Sequence, residues 1–147
     1  MNACDIVRTD GLSKFLVSAR YDSEFTPQWF DTGFWGKDAT LVASGGRGAA
    51  WFLARSPGPD FVLRRYRRGG LVAWVSGASY LFLGEARVRS LAEFRLLQYL
   101  YERKFPVPEP IAACYQRHHA VGYSASILVA RIPEARPFAE LMENASG

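Results

Sequence analysis

Four residues could do chemistry together: Gly46 and Gly48 in a glycine-rich turn, Arg64 near the end of an apolar run, and Glu93 further on. Glycines in a turn let backbone amides approach an oxyanion with no Cβ in the way. A guanidinium is a forked, permanently charged donor suited to phosphate and carboxylate. A carboxylate holds such a group by charge-assisted hydrogen bonds. Combined, they would form an anion cradle. Each also has a plainer role: a tight hairpin for the glycines, a solvated basic edge for the arginine, and a helix cap for the glutamate.

The elements that must position these residues can be read from the flanking sequence. Residues 39–44 and 49–55 are short apolar runs on either side of the turn Gly45, Gly46, Arg47 and Gly48. A strand–turn–strand setting argues against the Walker and dinucleotide-binding loops, which both open a helix. Ser56, Pro57, Gly58, Pro59 and Asp60 make a second turn, and residues 61–66 a third strand. Apolar runs bounded by Gly and Pro clusters read as an antiparallel meander. A glycine hairpin over a phosphate chain is the protein-kinase arrangement. Here Gly46 and Gly48 fit G-x-G-x-x-G, but the third position is Trp51. The third kinase strand carries V-A-I-K, whose basic residue binds phosphates and pairs with a helix glutamate. In a strand, residues 62 and 64 share one face, and 63 and 65 the other. Val62, the smaller apolar residue two before an arginine, selects Arg64 rather than Arg65.

Residues 90–104 predict a helix. Ser90 and Glu93 match a capping box, and Leu91, Phe94, Leu97 and Tyr101 form one stripe with Leu96 and Leu100 beside it. Lys104 suits the helix end, and Pro106, Pro108 and Pro110 stop the helix. Glu93 therefore has two readings, cap or partner of Arg64, with Glu102 as the alternative carboxylate. Strands are expected at 111–116 and 122–131, a turn at 117–119 with His118 and His119, and a helix start at 138–143. Near the N-terminus a strand over 14–18 and a helical turn over 27–30 are expected. The class is α+β: a five-stranded antiparallel sheet with one packed helix.

The 147 residues are 49% hydrophobic, 14% aromatic and 22% charged, which excludes a mainly disordered chain. A net charge of +4 rests on 15 Arg and only 3 Lys, so anionic ligands or surfaces fit. The spacing of Cys4 and Cys114 gives neither a disulfide framework nor a zinc site. The first twenty residues are too charged for a secretory signal, and a reducing cytoplasmic setting is expected. Residues 69–84 carry no charge but are broken by four glycines, too short for a spanning helix. With the arginines at 64, 65, 67 and 68, this stretch reads as either a bilayer-docking surface or a buried insertion. Interleaved basic and aromatic residues of the RNA-binding type are absent, so no nucleic-acid partner is expected.

Together the residues resemble a family. Gly46-Arg47-Gly48, Val62-Leu63-Arg64-Arg65-Tyr66-Arg67-Arg68-Gly69-Gly70, Tyr80-Leu81-Phe82-Leu83-Gly84, Glu93-Phe94 with Leu96-Leu97, Pro106-Val107-Pro108 and the stretch 123–132 look like the 3-deoxy-D-manno-octulosonic acid (Kdo) kinases. These are lipopolysaccharide core kinases with a protein-kinase-like fold. The resemblance implies an N-lobe and transfer of the ATP γ-phosphate to the 4-hydroxyl of Kdo on lipid A. It places the protein peripherally at the cytoplasmic face of the bacterial inner membrane. It implies that Gly46 and Gly48 cover the phosphates, that Val62 faces the adenine, and that Arg64 takes the strand-lysine role with Glu93 as its partner. Val129, Ala130 and Ile132 would lie in the segment that links the lobes. Residues 1–38 would be an aromatic-rich extension, 39–132 the N-lobe, and 133–147 the start of a C-lobe.

One departure outweighs the rest. The family's catalytic H-x-D loop and metal-binding aspartate follow the linker, yet no His or Asp occurs after residue 119. The sequence therefore predicts a truncated or split kinase, inactive alone, with no catalytic base or metal ligand of its own and Mg2+ expected only with a C-lobe. Loss of that lobe would expose apolar surface around Leu128 and Phe138. The competing reading is a non-catalytic basic module that docks on a membrane surface or a partner.

Overall fold

A computed structural model describes residues 6–45, 48–66, 80–81, 88–118 and 122–133. Eight strands form one antiparallel sheet: β1 (Ile6–Asp10), β2 (Ser13–Val17), β3 (Ala39–Gly45), β4 (Gly48–Leu53), β5 (Phe61–Tyr66), β6 (Tyr80–Leu81), β7 (Pro110–Arg117) and β8 (Gly122–Ala130). Seven follow the order β1-β2-β7-β8-β5-β4-β3, and β6 pairs with β8. Tyr123 faces Arg117 of β7 on one side and Tyr80 on the other, so β6 continues the lane of β5. Two helices are described: the single turn α1 (Thr32–Trp35) and α2 (Arg89–Glu102).

The expected α+β class and antiparallel sheet are present, but five strands is a correction: seven lie in the main path. β1 was not anticipated. Four of its five residues are exposed, so it has no apolar alternation to read. It is an edge strand held by its ladder to β2 through the turn at Gly11, where φ is +57°. The expected helix start at 138–143 lies outside the described residues, as do most of 69–84. Leu128 was expected on an exposed patch, but it is fully buried between the central strands; Phe138 is not described.

Strand alternation gives the sheet two apolar faces. Phe61 and Leu63 of β5, with Leu128 and Val17, point to one face. There the segment 19–38 closes the core with Tyr21, Phe25 and Trp29. Trp29 stacks obliquely on Phe61 at 5.2 Å and edge-on to Phe25 at 5.8 Å. Local capping shapes the segment: Thr26 accepts from the Gln28 amide at 3.5 Å, and Asp31 from the Gly33 amide at 2.9 Å. A Pro at the first position of the 3-10 turn Pro27–Phe30 is preset for it.

The other face packs α2. Leu91 and Phe94 bury against Ile127, Val129 and Ala113. Full burial of a Phe contributes about 2–3 kcal/mol. The expected capping box does not form. Val88 occupies the cap position with no side-chain bond, and Ser90 lies inside the first turn, fully buried. The Ser90 hydroxyl donates instead to the Cys114 carbonyl of β7 at 2.8 Å. A local capping signal has been overridden by a tertiary hydrogen bond, and Glu93 is released from the capping role.

Candidate functional site

β5 and α2 carry the site between them. β5 begins after the turn at Ser56–Asp60 and pairs with β4 on one side and β8 on the other. In this register Val62, Arg64 and Tyr66 oppose Phe52, Ala50 and Gly48 of β4, and Val129, Ile127 and Ala125 of β8. All three β5 residues lie on the α2 face. Arg64 extends from this face, its side chain 40% exposed, and donates through Nη2 to Oε1 of Glu93. Glu93 is one helical step from the buried Phe94, which fixes its direction toward β5. The Tyr66 hydroxyl donates to the second oxygen, Oε2. One carboxylate on α2 thus receives a charged and a neutral donor from the same strand.

The cluster is electropositive at its edge. The Arg89 guanidinium, at the start of α2, lies 5.0 Å above the Tyr66 ring. Burial, first, and the Glu93 hydrogen bond and charge, second, push the Tyr66 hydroxyl well above the ordinary tyrosine range. It therefore remains a proton donor throughout the physiological range. Gly48, opposite Tyr66, has φ of +135°, a backbone region that side chains rarely adopt. Gly46 and Arg47 lie outside the described residues.

The neighbouring Arg65 faces the other way. It donates to the Phe30 carbonyl at 3.0 Å and lies 4.8 Å over the Trp51 ring. Alternation therefore separates the two arginines: Arg65 ties the segment 19–38 to the sheet, and Arg64 meets the helix. On that opposite face Arg65, Phe15, Cys114 and Ser126 line an open groove of about 530 Å³, which does not include Arg64 or Glu93.

The remaining positions divide. Val129 is buried beside Val62 on the site face. Ala130 opposes Phe61 and packs into the other core. Ile132 lies beyond the end of β8 and is 46% exposed. The backbone of this segment is partly engaged: the Ala130 amide donates to the Glu109 carbonyl at 2.8 Å, and the Arg131 amide to that of Asp60 at 2.8 Å. Gly48, Val62, Arg64, Glu93 and Val129 therefore share one face, whereas Ala130 and Ile132 do not join them through their side chains. Sequence reasoning missed Tyr66 and Arg89. Tyr66 was findable, since it follows Arg64 by two residues on one strand.

Such an arrangement can bind an oxyanion. Arg64 presents a partly exposed, fixed cation, and Gly48 allows close backbone approach. His118 is exposed, and its amide closes the β7–β8 connection onto Gly122 at 3.0 Å. Among the described residues no group of three or more His, Cys, Asp or Glu could hold a metal. No helix among them is long and apolar enough to cross a membrane.

Comparison with known proteins gives a consistent picture. The model of the lipopolysaccharide kinase (Kdo/WaaP) family matches residues 32–146. A 3-deoxy-D-manno-octulosonic acid kinase of Xanthomonas campestris pv. campestris (strain B100) is 50% identical over 106 residues, 72% of this chain and 42% of the relative. Its counterpart in Xanthomonas euvesicatoria pv. vesicatoria (strain 85-10) is 48% identical over 118 residues, 80% of this chain and 45% of the relative. That of Xylella fastidiosa (strain M23) is 47% identical over 108 residues, 74% and 41%. The chain spans less than half the length of these curated relatives. No solved structure matches it.

Proposed function

The chain belongs to the lipopolysaccharide kinase (Kdo/WaaP) family, and from that premise we propose that it supplies the nucleotide-binding part of an ATP-dependent Kdo kinase. The acceptor is the 4-hydroxyl of Kdo on lipid A, and the product is the phosphorylated inner core of lipopolysaccharide. The observation that carries this reading is the Arg64–Glu93 pair on the α2 face of the sheet. A strand cation held by a helix carboxylate is what a kinase N-lobe uses to fix nucleotide phosphates.

Each residue has a stated role. Gly48, with Gly46, brings backbone amides to the phosphate oxygens. Arg64 neutralises phosphate charge and holds the chain of phosphates in line. Glu93 orients Arg64, and Val62 and Val129 offer an apolar surface to the base. The backbone of 130–132 skirts the adenine. Phosphoryl transfer is mostly positioning and charge stabilisation, and these residues contribute one wall of that site. ATP bound there supplies the transferable phosphoryl group. Residues 1–147 contain no H-x-D sequence after the linker. The catalytic base and the Mg2+ ligands are therefore assigned to the length of the relatives that this chain does not span. The 147-residue chain is expected to bind nucleotide without transferring phosphate.

A lipid-linked acceptor places the protein at the cytoplasmic face of the inner membrane, held peripherally. The run Arg64, Arg65, Arg67 and Arg68 supports contact with anionic lipid. The alternative, a non-catalytic membrane-surface module, has the same arginines in its favour. Two measurements separate the readings: ATP titration, and flotation on anionic liposomes of the chain with Arg67→Glu and Arg68→Glu. ATP binding supports the kinase reading. Lipid binding lost in that variant, with no ATP affinity in the native chain, supports the module.

A further inference from the structure

Tyr66 has no part in the reading above, although its hydroxyl shares Glu93 with Arg64. An arginine facing a carboxylate tends to close a two-bond fork, with both oxygens and two N–H groups consumed. A lysine has no such tendency, because its ammonium is a point charge. An arginine in the strand-lysine position therefore brings a difficulty: a closed fork on Glu93 would leave fewer N–H groups for phosphate. In this structure the fork is not closed. Among the described residues Arg64 reaches Glu93 through Nη2 alone, on Oε1, and Tyr66 holds Oε2.

We propose that Tyr66 is a positioning residue that blocks two-bond pairing of Arg64 with Glu93 and so keeps part of the guanidinium available to nucleotide phosphate oxygens. This rests on the nucleotide-binding reading of the same site. Three observations carry it. Tyr66 and Arg64 stand two residues apart on β5, so both reach α2 from one face. Tyr66 is only 6% exposed, which leaves its hydroxyl few other partners. Arg64 keeps 40% of its side chain exposed while paired, the state an incoming anion requires.

The test is an NMR titration of the 147-residue chain and its variants with ATP, inorganic triphosphate and adenosine. Tyr66→Phe keeps the ring and removes only the hydroxyl. It is expected to weaken ATP and triphosphate about tenfold, corresponding to one lost charge-assisted phosphate contact, and to leave adenosine unchanged. In an Arg64→Lys background, where no fork can form, adding Tyr66→Phe is expected to change affinity less than twofold. An equal loss in both backgrounds would mean a merely structural tyrosine and overturn the proposal. So would a Tyr66→Phe chain that binds triphosphate as the native one does. Should Tyr66→Phe not fold, Glu93→Gln replaces it: a neutral amide cannot close a charged fork, so triphosphate affinity should then fall by less than in Arg64→Ala. An equal fall contradicts the proposal. If Arg64→Ala binds ATP as the native chain does, the nucleotide reading fails and this inference with it. If Arg64→Ala weakens binding but Tyr66→Phe does not, this inference alone fails.

Discussion

Arg64 and Glu93 meet across 29 positions of sequence, joined because β5 turns its even-numbered residues toward α2. Neither residue is held by local structure. The helix is anchored by Leu91, Phe94 and the Ser90–Cys114 hydrogen bond, and the strand by ladders on both sides. The pair is thus placed by a rigid core that does not depend on it. That separation of scaffold from site leads to the first prediction.

Removal of the pair should affect ligand binding far more than stability. The side chains are 40% and 26% exposed, and partly exposed ion pairs contribute about 1 kcal/mol or less. Arg64→Ala is expected to lower unfolding free energy by about 1 kcal/mol in urea titration. A loss above about 3 kcal/mol, the range of a buried pair, would show that the pair holds the fold.

Gly48 should resist substitution. Its φ of +135° lies where a Cβ is strained. Gly48→Ala is expected to destabilise by about 1–3 kcal/mol, with amide shift changes concentrated along β3, β4 and the end of β5. A variant as stable as the native chain would place residue 48 in ordinary extended backbone.

Ser90 distinguishes a cap from a core position. At a true N-cap, Ser90→Asp is neutral or stabilising, because aspartate caps as well as serine does. Inside the first turn, fully buried against β7, the same change buries a carboxylate. A loss of several kcal/mol is expected, and Ser90→Ala should cost about 1 kcal/mol. Equal stability of the Asp variant and the native chain would restore the capping role.

Alkaline pH should weaken the fold. Burial pushes the Cys114 thiol up to about 12 from its ordinary 9.0, only partly offset by hydrogen bonds from Ser126. Burial and Glu93 raise Tyr66 from 10.0. Both groups are held neutral in the folded chain, so their contribution is whole below about pH 9 and is lost as pH rises through 9 to 12. Each such group removes at most about 1.4 kcal/mol per pH unit. Melting temperature should be level between pH 7 and 8.5 and fall above 9, less steeply in Cys114→Ala. A level profile to pH 11 would contradict the burial of both groups.

The parts of this fold legible in sequence were those set by local rules. β5 was bounded by Pro and Gly on one side, and alternation alone separated Arg64 from Arg65. The 3-10 turn at 27–30 followed from its proline. β1 was hidden because four of its residues face solvent, leaving Asp10-Gly11 as its one turn signal. Ser90 misled because a capping box is a local pattern, whereas its partner, the Cys114 carbonyl, lies 24 residues away. Tyr66 escaped because nothing in a strand sequence reveals what its hydroxyl will face. The site residues on β5 and α2 were readable; the third member that binds both was not.

The most direct test is an isotope-edited NMR titration of the 147-residue chain with ATP, run beside Arg64→Ala. The account predicts saturable shifts at Gly48, Val62, Arg64 and Glu93 in the native chain, with affinity about tenfold lower or worse in Arg64→Ala. Shifts confined to the opposite face, around Arg65 and Phe30, or equal affinity in the two proteins, would contradict it.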